Sequence, residues 1–155
     1  MGQGIAQVCA LAGYSIKLYD IQADITRIAL AAIRKSLDAS VVKNKISSGQ
    51  KDEALSRIQV VGDFRLLQVD LAIEAVVEKV EVKHMILSEL EKINGMDCLM
   101  VSNTSSFPIT QLASVLKHKD RFAGLHFFNP APAMKLVEII RGAATTDHTI
   151  EVLDS

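Results

Sequence analysis

The chain has 155 residues, of which 49% are hydrophobic and 23% charged, and its 17 basic side chains nearly balance 18 acidic ones. This length suits one domain with a substantial core. The net charge of −1 disfavours a nucleic-acid or polybasic membrane surface. Polar residues interrupt every apolar run well before the ~20 residues that span a bilayer. The two cysteines lie far apart and form no disulfide framework or metal cluster, which is typical of a reducing compartment.

Helical and strand patterns alternate along the chain. Helices are predicted over residues 4–12 (ended by Gly13), 22–44, 52–58 (after a break at Ser47-Ser48-Gly49), 79–93, 108–116 and from Thr146 onward. Strands are predicted over residues 15–20, 59–61, 71–75, 98–102, 122–127 and 135–140. This alternation predicts an α/β fold whose mostly parallel sheet is covered by helices on both faces.

Gly2-Gln3-Gly4 opens the first predicted helix. A G-x-G pair alone is typical of a turn, and Gln7 stands where a full G-x-G-x-x-G from Gly2 needs glycine. Gly2 is better interpreted as the last glycine of a truncated dinucleotide-binding fingerprint. Asp20 then ends the next strand, where such folds place an acid that binds the adenosine ribose. The alternative is that Asp20 only ends its strand and caps the following helix.

Five polar residues, Ser102-Asn103-Thr104-Ser105-Ser106, follow a predicted buried strand. Ligands bind at the carboxyl ends of strands in open α/β sheets. The hydroxyls and the amide of this segment are therefore suited to hold a nicotinamide ribose or an acyl carbonyl. The alternative is a polar turn in which Ser106 caps the next helix.

His126 ends one predicted strand, and Glu138 lies inside the apolar strand that follows. Because a buried carboxylate is costly unless it is paired, we expect Glu138 to pair with His126. A carboxylate that orients a histidine, which exchanges a proton with substrate, is a standard acid–base arrangement. Glu78 is the other acid in an apolar setting and is a second candidate for a functional carboxylate. The alternative is that it only complements the positive end of a helix dipole.

Four stretches resemble the NAD-binding domain of the L-3-hydroxyacyl-CoA dehydrogenases, including the bacterial 3-hydroxybutyryl-CoA dehydrogenases. Their order and spacing fit that family along essentially all 155 residues, and they cover residues 1–6, 74–78, 102–106 and 126–138. The resemblance implies a Rossmann-type, doubly wound α/β fold. It also implies reversible, NAD-dependent oxidation of L-3-hydroxyacyl-CoA to 3-ketoacyl-CoA in fatty-acid or butyrate metabolism.

The resemblance further implies roles for individual residues. His126 matches the catalytic base, Glu138 the acid that pairs with it, and Ser105 the serine that contacts substrate and nicotinamide. The other positions that match NAD contacts are Gly2, Asp20, Glu78, Lys83 and Asn129, and those that match coenzyme A contacts are Ser36 and Lys43. For Ser36 and Lys43 an exposed helix face is the alternative interpretation.

Two parts of that family are expected outside residues 1–155. One is the first strand with the first two fingerprint glycines, for which we expect about 10–15 residues before Met1. The other is a mostly helical C-terminal domain that supplies the dimer interface and part of the acyl-CoA cleft. We therefore expect a domain truncated at both ends and inactive alone, and a homodimer formed through the helical domain. The expected location is the bacterial cytoplasm, or the mitochondrial matrix in a eukaryote.

Three other functions remain open at this point. A related β-hydroxyacid or sugar-acid dehydrogenase shares the Rossmann core. The histidine–glutamate pair counts against this alternative, because resemblance implies that those families favour a lysine base. A non-catalytic relative of the lambda-crystallin type would not need its catalytic positions filled, whereas here they are. A bare nucleotide-binding module is the third alternative.

Overall fold

Helices and strands alternate along all 155 residues that the computed structural model describes. The chain divides into two units, Met1–Leu67 with Asn129–Met134, and Gln68–Phe128 with Lys135–Ser155. No helix combines the length and the apolar character needed to cross a bilayer. The predicted α/β fold with mostly parallel strands is confirmed, since three of the four strand pairs are parallel.

The first unit has three helices and two strands: α1 (Gly2–Leu11), β1 (Ile16–Leu18), α2 (Ala23–Val42), α3 (Ser48–Ser56) and β2 (Ile58–Val60). β1 and β2 pair in parallel, with Ile16 opposite Ile58. Side chains from all three helices and from β2 form its apolar core: Ala6, Ala10, Ile33, Leu37, Ala54 and Ile58. After α1, Gly13 has a φ of +103°, the left-handed conformation that its predicted capping role requires.

The second unit has four strands and three helices: β3 (Leu71–Glu74), α4 (Val80–Asn94), β4 (Leu99–Ser102), α5 (Ile109–Leu112), β5 (Phe122–Phe127), β6 (Val137–Arg141) and α6 (Asp147–Asp154). The sheet order is β3-β4-β5-β6. Because β3, β4 and β5 are parallel, their carboxyl ends share one edge of the sheet. β6 runs antiparallel to β5, so its first residues lie at that same edge.

Two predicted helix boundaries are wrong. The helix after the break at Ser47-Ser48-Gly49 is predicted to begin at Asp52, but α3 already begins at Ser48. Ser47 accepts a hydrogen bond from the backbone amide of Gln50, whose side chain bonds back to the amide of Ser47, which is a capping box. The helix predicted over residues 108–116 is α-helical only in α5 and continues as a 3₁₀ turn over Ala113–Val115. The strand expected before Met1 stays a prediction.

Candidate active site

His126 and Glu138 form a hydrogen-bonded pair on neighbouring strands. They lie directly opposite each other in the antiparallel register of β5 and β6. The Nδ1 atom of His126 is 2.9 Å from Oε2 of Glu138. This contact leaves the Nε2 atom of the imidazole as the ring nitrogen available for proton exchange.

The environment of Glu138 differs from the sequence expectation. Its side chain is 51% exposed, whereas that of His126 is 19% exposed. The expectation of a carboxylate buried inside an apolar strand is therefore wrong. No residue of β6 is buried, so the side chains of this strand are at most partly covered. On the other side of the imidazole, the ring of Phe128 packs with its centroid 4.7 Å away.

A cleft of about 250 Å³ opens beside this pair. Its walls come from the segment that follows β4, from β5 and from β6: Thr104, Ser105, Ser106, Phe107, Pro108, Ile109, His126, Glu138 and Ile140. The structure thus brings together Ser105, His126 and Glu138, which the sequence analysis predicts to act on substrate. A hydroxyl and an imidazole at one cleft are suited to a polar substrate that exchanges a proton.

The polar segment after β4 is held by its own hydrogen bonds. The Oγ1 atom of Thr104 accepts hydrogen bonds from the backbone amides of Ser106 and Phe107 at 3.2 and 3.1 Å. Asn103 accepts one from the amide of Phe127 at 2.8 Å, which ties this segment to the end of β5 next to His126. The alternative role of Ser106 as a helix cap is not observed, since no side chain caps α5.

A cluster of three charged side chains lies in the same unit. The ammonium of Lys83, on α4, is 2.8 Å from the carboxylate of Glu74 and 3.0 Å from that of Glu78. Lys83 and Glu74 are fully buried, whereas Glu78 is 39% exposed. Lys83 and Glu78, which are both predicted to bind NAD, are therefore in direct contact.

Glu78 also bonds to Thr104, whose hydroxyl donates to its carboxylate. Burial raises the pKa of the Glu78 carboxyl. The hydrogen bonds from Thr104 and Lys83 and the charge of Lys83 lower this pKa, and together they outweigh burial. The net result is a pKa below its usual range. Glu78 therefore presents a stable negative charge and a hydrogen-bond acceptor at the exposed end of the cluster.

Two of the predicted nucleotide-binding residues, Gly2 and Asp20, lie in the first unit. α1 begins at Gly2, and the amide of Gly4 donates to the carbonyl of Met1 at 2.9 Å, so the amides of Gly2 and Gln3 are the first-turn donors suited to a phosphate. Asp20 follows β1, and its Oδ1 atom accepts a hydrogen bond from the amide of Gln22 at 2.9 Å. The second carboxylate oxygen is then suited to a ribose hydroxyl. Asp20 does not cap α2, whose N-cap residue is Gln22.

The remaining predicted residues also lie in the first unit. Ser36 is half-buried on α2, and Lys43 is exposed at its C-terminal cap. Lys43 follows Ser36 by seven positions, which is about two helical turns, so the two residues lie on one side of the helix. Asn129 is exposed in the segment Asn129–Met134.

Comparison with known proteins decides the family. The family model described as 3-hydroxyacyl-CoA dehydrogenase, NAD binding domain, matches residues 1–154. This chain belongs to the 3-hydroxyacyl-CoA dehydrogenase family. NAD is the cofactor that this domain binds.

Relatives within the 3-hydroxyacyl-CoA dehydrogenase family are identical to this chain at about two-fifths of the aligned residues. The 3-hydroxybutyryl-CoA dehydrogenase of Bradyrhizobium diazoefficiens is 44% identical over 152 residues, which are 97% of this chain and 52% of that protein. The 3-hydroxyadipyl-CoA dehydrogenase of Escherichia coli K12 is 41% identical over 154 residues, which are 99% of this chain and 32% of that protein. The chain thus spans only about a third to a half of these relatives.

Solved structures of the 3-hydroxyacyl-CoA dehydrogenase family superpose closely on the chain. The crystal structure of (S)-3-hydroxybutyryl-CoA dehydrogenase from Ralstonia eutropha has a TM-score of 0.96 and 41% identity. It covers 99% of this chain, and the chain covers 55% of it. The predicted Rossmann-type fold is confirmed by this likeness.

One member of the site that the sequence did not single out is Glu74. It ends the apolar strand β3 and is among the most buried charged residues of the chain. The signal was available, since an acid within an apolar strand is the same pattern that pointed to Glu138. Both carboxylates are paired, but the fold buries that of Glu74 and leaves that of Glu138 half exposed.

Proposed function

We propose that this chain is the NAD-binding part of an enzyme that oxidises the 3-hydroxyl group of an L-3-hydroxyacyl-CoA to the ketone and catalyses the reverse reduction. The observation that carries this proposal is the His126–Glu138 pair at a cleft that Ser105 also lines. Membership of the 3-hydroxyacyl-CoA dehydrogenase family supports the reaction class.

His126 is the acid–base residue of the proposed reaction. Because Nδ1 bonds to Glu138, Nε2 accepts the proton of the 3-hydroxyl group as the carbonyl forms. When bound, NAD⁺ would accept the hydride from the carbon that carries this hydroxyl group. The Glu138 carboxylate stabilises the resulting imidazolium, which returns its proton to the ketone oxygen in the reverse direction.

The other predicted residues bind and orient. The Ser105 hydroxyl, in the cleft wall, contacts substrate and nicotinamide. The NAD contacts are completed by Gly2, Asp20, Glu78, Lys83 and Asn129. Ser36 and Lys43, on one face of α2, contact the coenzyme A portion of the substrate.

The biological setting of the proposed enzyme is fatty-acid or butyrate metabolism. The names of relatives support this setting, since one is a subunit of a fatty acid oxidation complex and another a mitochondrial hydroxyacyl-coenzyme A dehydrogenase. These relatives also support a bacterial cytoplasmic or a mitochondrial matrix location. We further propose a homodimer assembled through a helical C-terminal domain.

The test is the substitution His126→Gln in the full-length protein, with acetoacetyl-CoA and NADH as substrates. We expect kcat to fall by about 10²–10⁴-fold, the usual contribution of a general acid–base residue, while the Kd of NADH changes little. His148→Gln, on the exposed face of α6, is the matched control and should retain wild-type kcat. Wild-type kcat in His126→Gln would exclude the proposed base. A wild-type protein that binds NADH but turns over no 3-ketoacyl-CoA would instead support a non-catalytic relative of the lambda-crystallin type.

A further inference from the structure

The carboxylate of Glu74 has a full set of hydrogen-bond donors inside the second unit. It accepts from the Lys83 ammonium at 2.8 and 3.0 Å, from the backbone amide of Val76 at 2.7 Å and from the hydroxyl of Ser102 at 2.6 Å. Burial of a carboxylate is costly unless such donors surround it. A fold that only needed an apolar strand at β3 would place an aliphatic residue here, so this carboxylate calls for a functional explanation.

Lys83 connects this buried carboxylate to a second one. Its ammonium makes two contacts with Glu74 and one with Glu78, at 3.0 Å. These two carboxylates are the titratable groups in contact with the ammonium. Since the side chain of Lys83 is 1% exposed, water does not replace a lost partner without a rearrangement.

Contacts continue from Glu78 to the cleft wall. Thr104 donates its hydroxyl proton to Glu78, and this fixes the direction of the Oγ1 lone pairs. Those lone pairs accept the backbone amides of Ser106 and Phe107, which both line the cleft beside His126. A continuous series of polar contacts, here called the relay, therefore runs from Glu74 through Lys83, Glu78 and Thr104 to these two amides.

We propose that Glu74 is a positioning residue that, through this relay, holds Glu78 and the segment 104–107 in the arrangement that binds the coenzyme. The part of this proposal that concerns NAD rests on the proposed function, whereas the ordering of segment 104–107 does not. The side chain of Glu74 is 0% exposed, so it acts through Lys83. It keeps the ammonium of Lys83 fixed so that one of its protons always points to Glu78.

Loss of Glu74 has a specific expected consequence. The ammonium of Lys83 would then be buried with one carboxylate in place of two, and it would move towards Glu78 or draw water inward. Either movement changes the orientation of the Glu78 carboxylate and weakens its bond with Thr104. The amides of Ser106 and Phe107 would open more often, although no residue of the cleft wall was changed.

The first experiment measures hydrogen exchange of the Ser106 and Phe107 amides in the full-length protein. In Glu74→Gln, which keeps the size of the side chain, we expect exchange at both amides to accelerate by about tenfold, as for the loss of one hydrogen bond. The matched control is Glu91→Gln. Glu91 is another buried glutamate, on α4, and it accepts hydrogen bonds from the amides of Lys117 and His118 outside the relay.

The control separates a local effect from a general loss of stability. Glu91→Gln should accelerate exchange at Lys117 and His118 but leave Ser106 and Phe107 unchanged. If Glu74→Gln does not fold, the double variant Glu74→Gln with Lys83→Met removes both buried charges together and tests the same relay, because Glu78 still loses the ammonium. Unchanged exchange at Ser106 and Phe107 in whichever of these variants folds would overturn the relay.

The second experiment measures the Kd of NADH for the same variants and for Glu78→Gln. We expect Glu74→Gln to raise this Kd by about tenfold, with little further change when Glu78→Gln is added, because coupled residues give non-additive effects. Glu91→Gln should bind NADH like the wild type. Additive effects of the two substitutions, or a wild-type Kd in Glu74→Gln, would overturn the coenzyme role. Absence of NADH binding by the wild type, together with accelerated exchange in Glu74→Gln, would overturn the proposed function but support the ordering role of Glu74.

Discussion

Glu138 reaches the imidazole of His126 from an edge strand, so solvent also reaches the carboxylate. The contact is a hydrogen bond to the nitrogen that does not face the substrate in the proposed reaction. Such a contact selects the tautomer in which Nε2 is unprotonated, and it stabilises the imidazolium that forms when the proton arrives. In the proposed reaction, Glu138 therefore acts on the rate through His126.

Replacement of Glu138 tests this role. Glu138→Gln retains the shape but removes the charge, and hydrogen bonds to charged groups contribute about 1.5–3 kcal/mol. We expect kcat with acetoacetyl-CoA to fall by about 10- to 100-fold, less than for His126→Gln. Glu151→Gln, an exposed acid on α6, is the control and should leave kcat unchanged. A Glu138→Gln enzyme with wild-type kcat would show that the pair does not work as proposed.

Asp20 sets the expected choice of coenzyme. In the proposed NAD site its carboxylate accepts ribose hydroxyls and repels a 2′-phosphate, and no arginine follows in Ile21-Gln22-Ala23 to offset that charge. We expect kcat/KM with NADH to exceed that with NADPH by at least about tenfold. Asp20→Asn should reduce this ratio, whereas Asp24→Asn, in the first turn of α2, should not. Equal kcat/KM values for the two coenzymes in the wild type would contradict the assignment.

At the scale of elements, β5 and its neighbours leave no room for a side chain at Gly124. A Cβ atom added there would lie 2.7 Å from Cδ1 of Ile109 and 3.0 Å from Cβ of Ile140. Both isoleucines line the cleft. The cleft therefore depends on the close approach of α5 and β6 to this one position of β5.

The substitution Gly124→Ala should lower both stability and activity. We expect a loss of about 1–3 kcal/mol in the free energy of unfolding, as for other overpacked cores, measured by chemical denaturation. The KM for acetoacetyl-CoA should rise because Ile109 and Ile140 must shift. Gly62→Ala is the matched control, since a Cβ atom there meets no atom within 4 Å. If both variants unfold at the same denaturant concentration, the packing argument is wrong.

The elements also show what the sequence could predict. Long amphipathic helices such as α2 and α4 and apolar strands such as β5 follow from periodicity, because burial on one or both faces determines it. The start of α3 did not follow, since Ser47-Ser48-Gly49 has loop composition, and the capping box depends on Gln50 three residues later.

The same limit applies to the candidate site. The pairing of Glu138 with His126 was predicted from the cost of an unpaired carboxylate in an apolar strand. The two residues are in fact brought together by the antiparallel register of β5 and β6. Spacing could not predict which acid is buried, because β3 and β6 both lie at the ends of the four-stranded sheet. Glu74 is buried because Lys83 of α4 and Ser102 of β4 cover its carboxylate, whereas Glu138 stays half exposed beside His126. The contact between His126 and Glu138 was therefore predictable from the sequence, whereas the buried contacts of Glu74 were not.

At the scale of the whole molecule, each unit carries one part of the proposed chemistry. The first unit holds the fingerprint glycine, Asp20 and the α2 positions for coenzyme A. The second holds the His126–Glu138 pair, the cleft and the buried charged cluster. The second unit must therefore remain folded for any acid–base chemistry, and its buried thiol reports on that state.

Cys98 is buried just before β4, where its Sγ atom lies 3.2 Å from the carbonyl oxygen of Leu99. Burial raises the pKa of this thiol from 9.0 to about 11. In the unfolded chain the thiol ionises near pH 9, whereas in the folded protein it stays protonated until about pH 11. Between these pH values the unfolded state binds fewer protons than the folded state. The contribution of the Cys98 thiol to the free energy of unfolding is therefore present below pH 9 and is lost as the pH rises towards 11.

The measurement is the free energy of unfolding of the wild type and of Cys98→Ala between pH 7 and pH 11. Lysine and tyrosine side chains titrate in the same range in both proteins, so the difference between the two curves isolates the thiol. We expect stability to fall less steeply above pH 9 in Cys98→Ala, and Cys98 to react with iodoacetamide only after unfolding. Cys9→Ala serves as the comparison, since burial also raises the pKa of Cys9, which lies in the first unit. Parallel curves for wild type and Cys98→Ala from pH 9 to pH 11, or alkylation of Cys98 in the folded protein at pH 8, would show that the second unit does not protect this thiol.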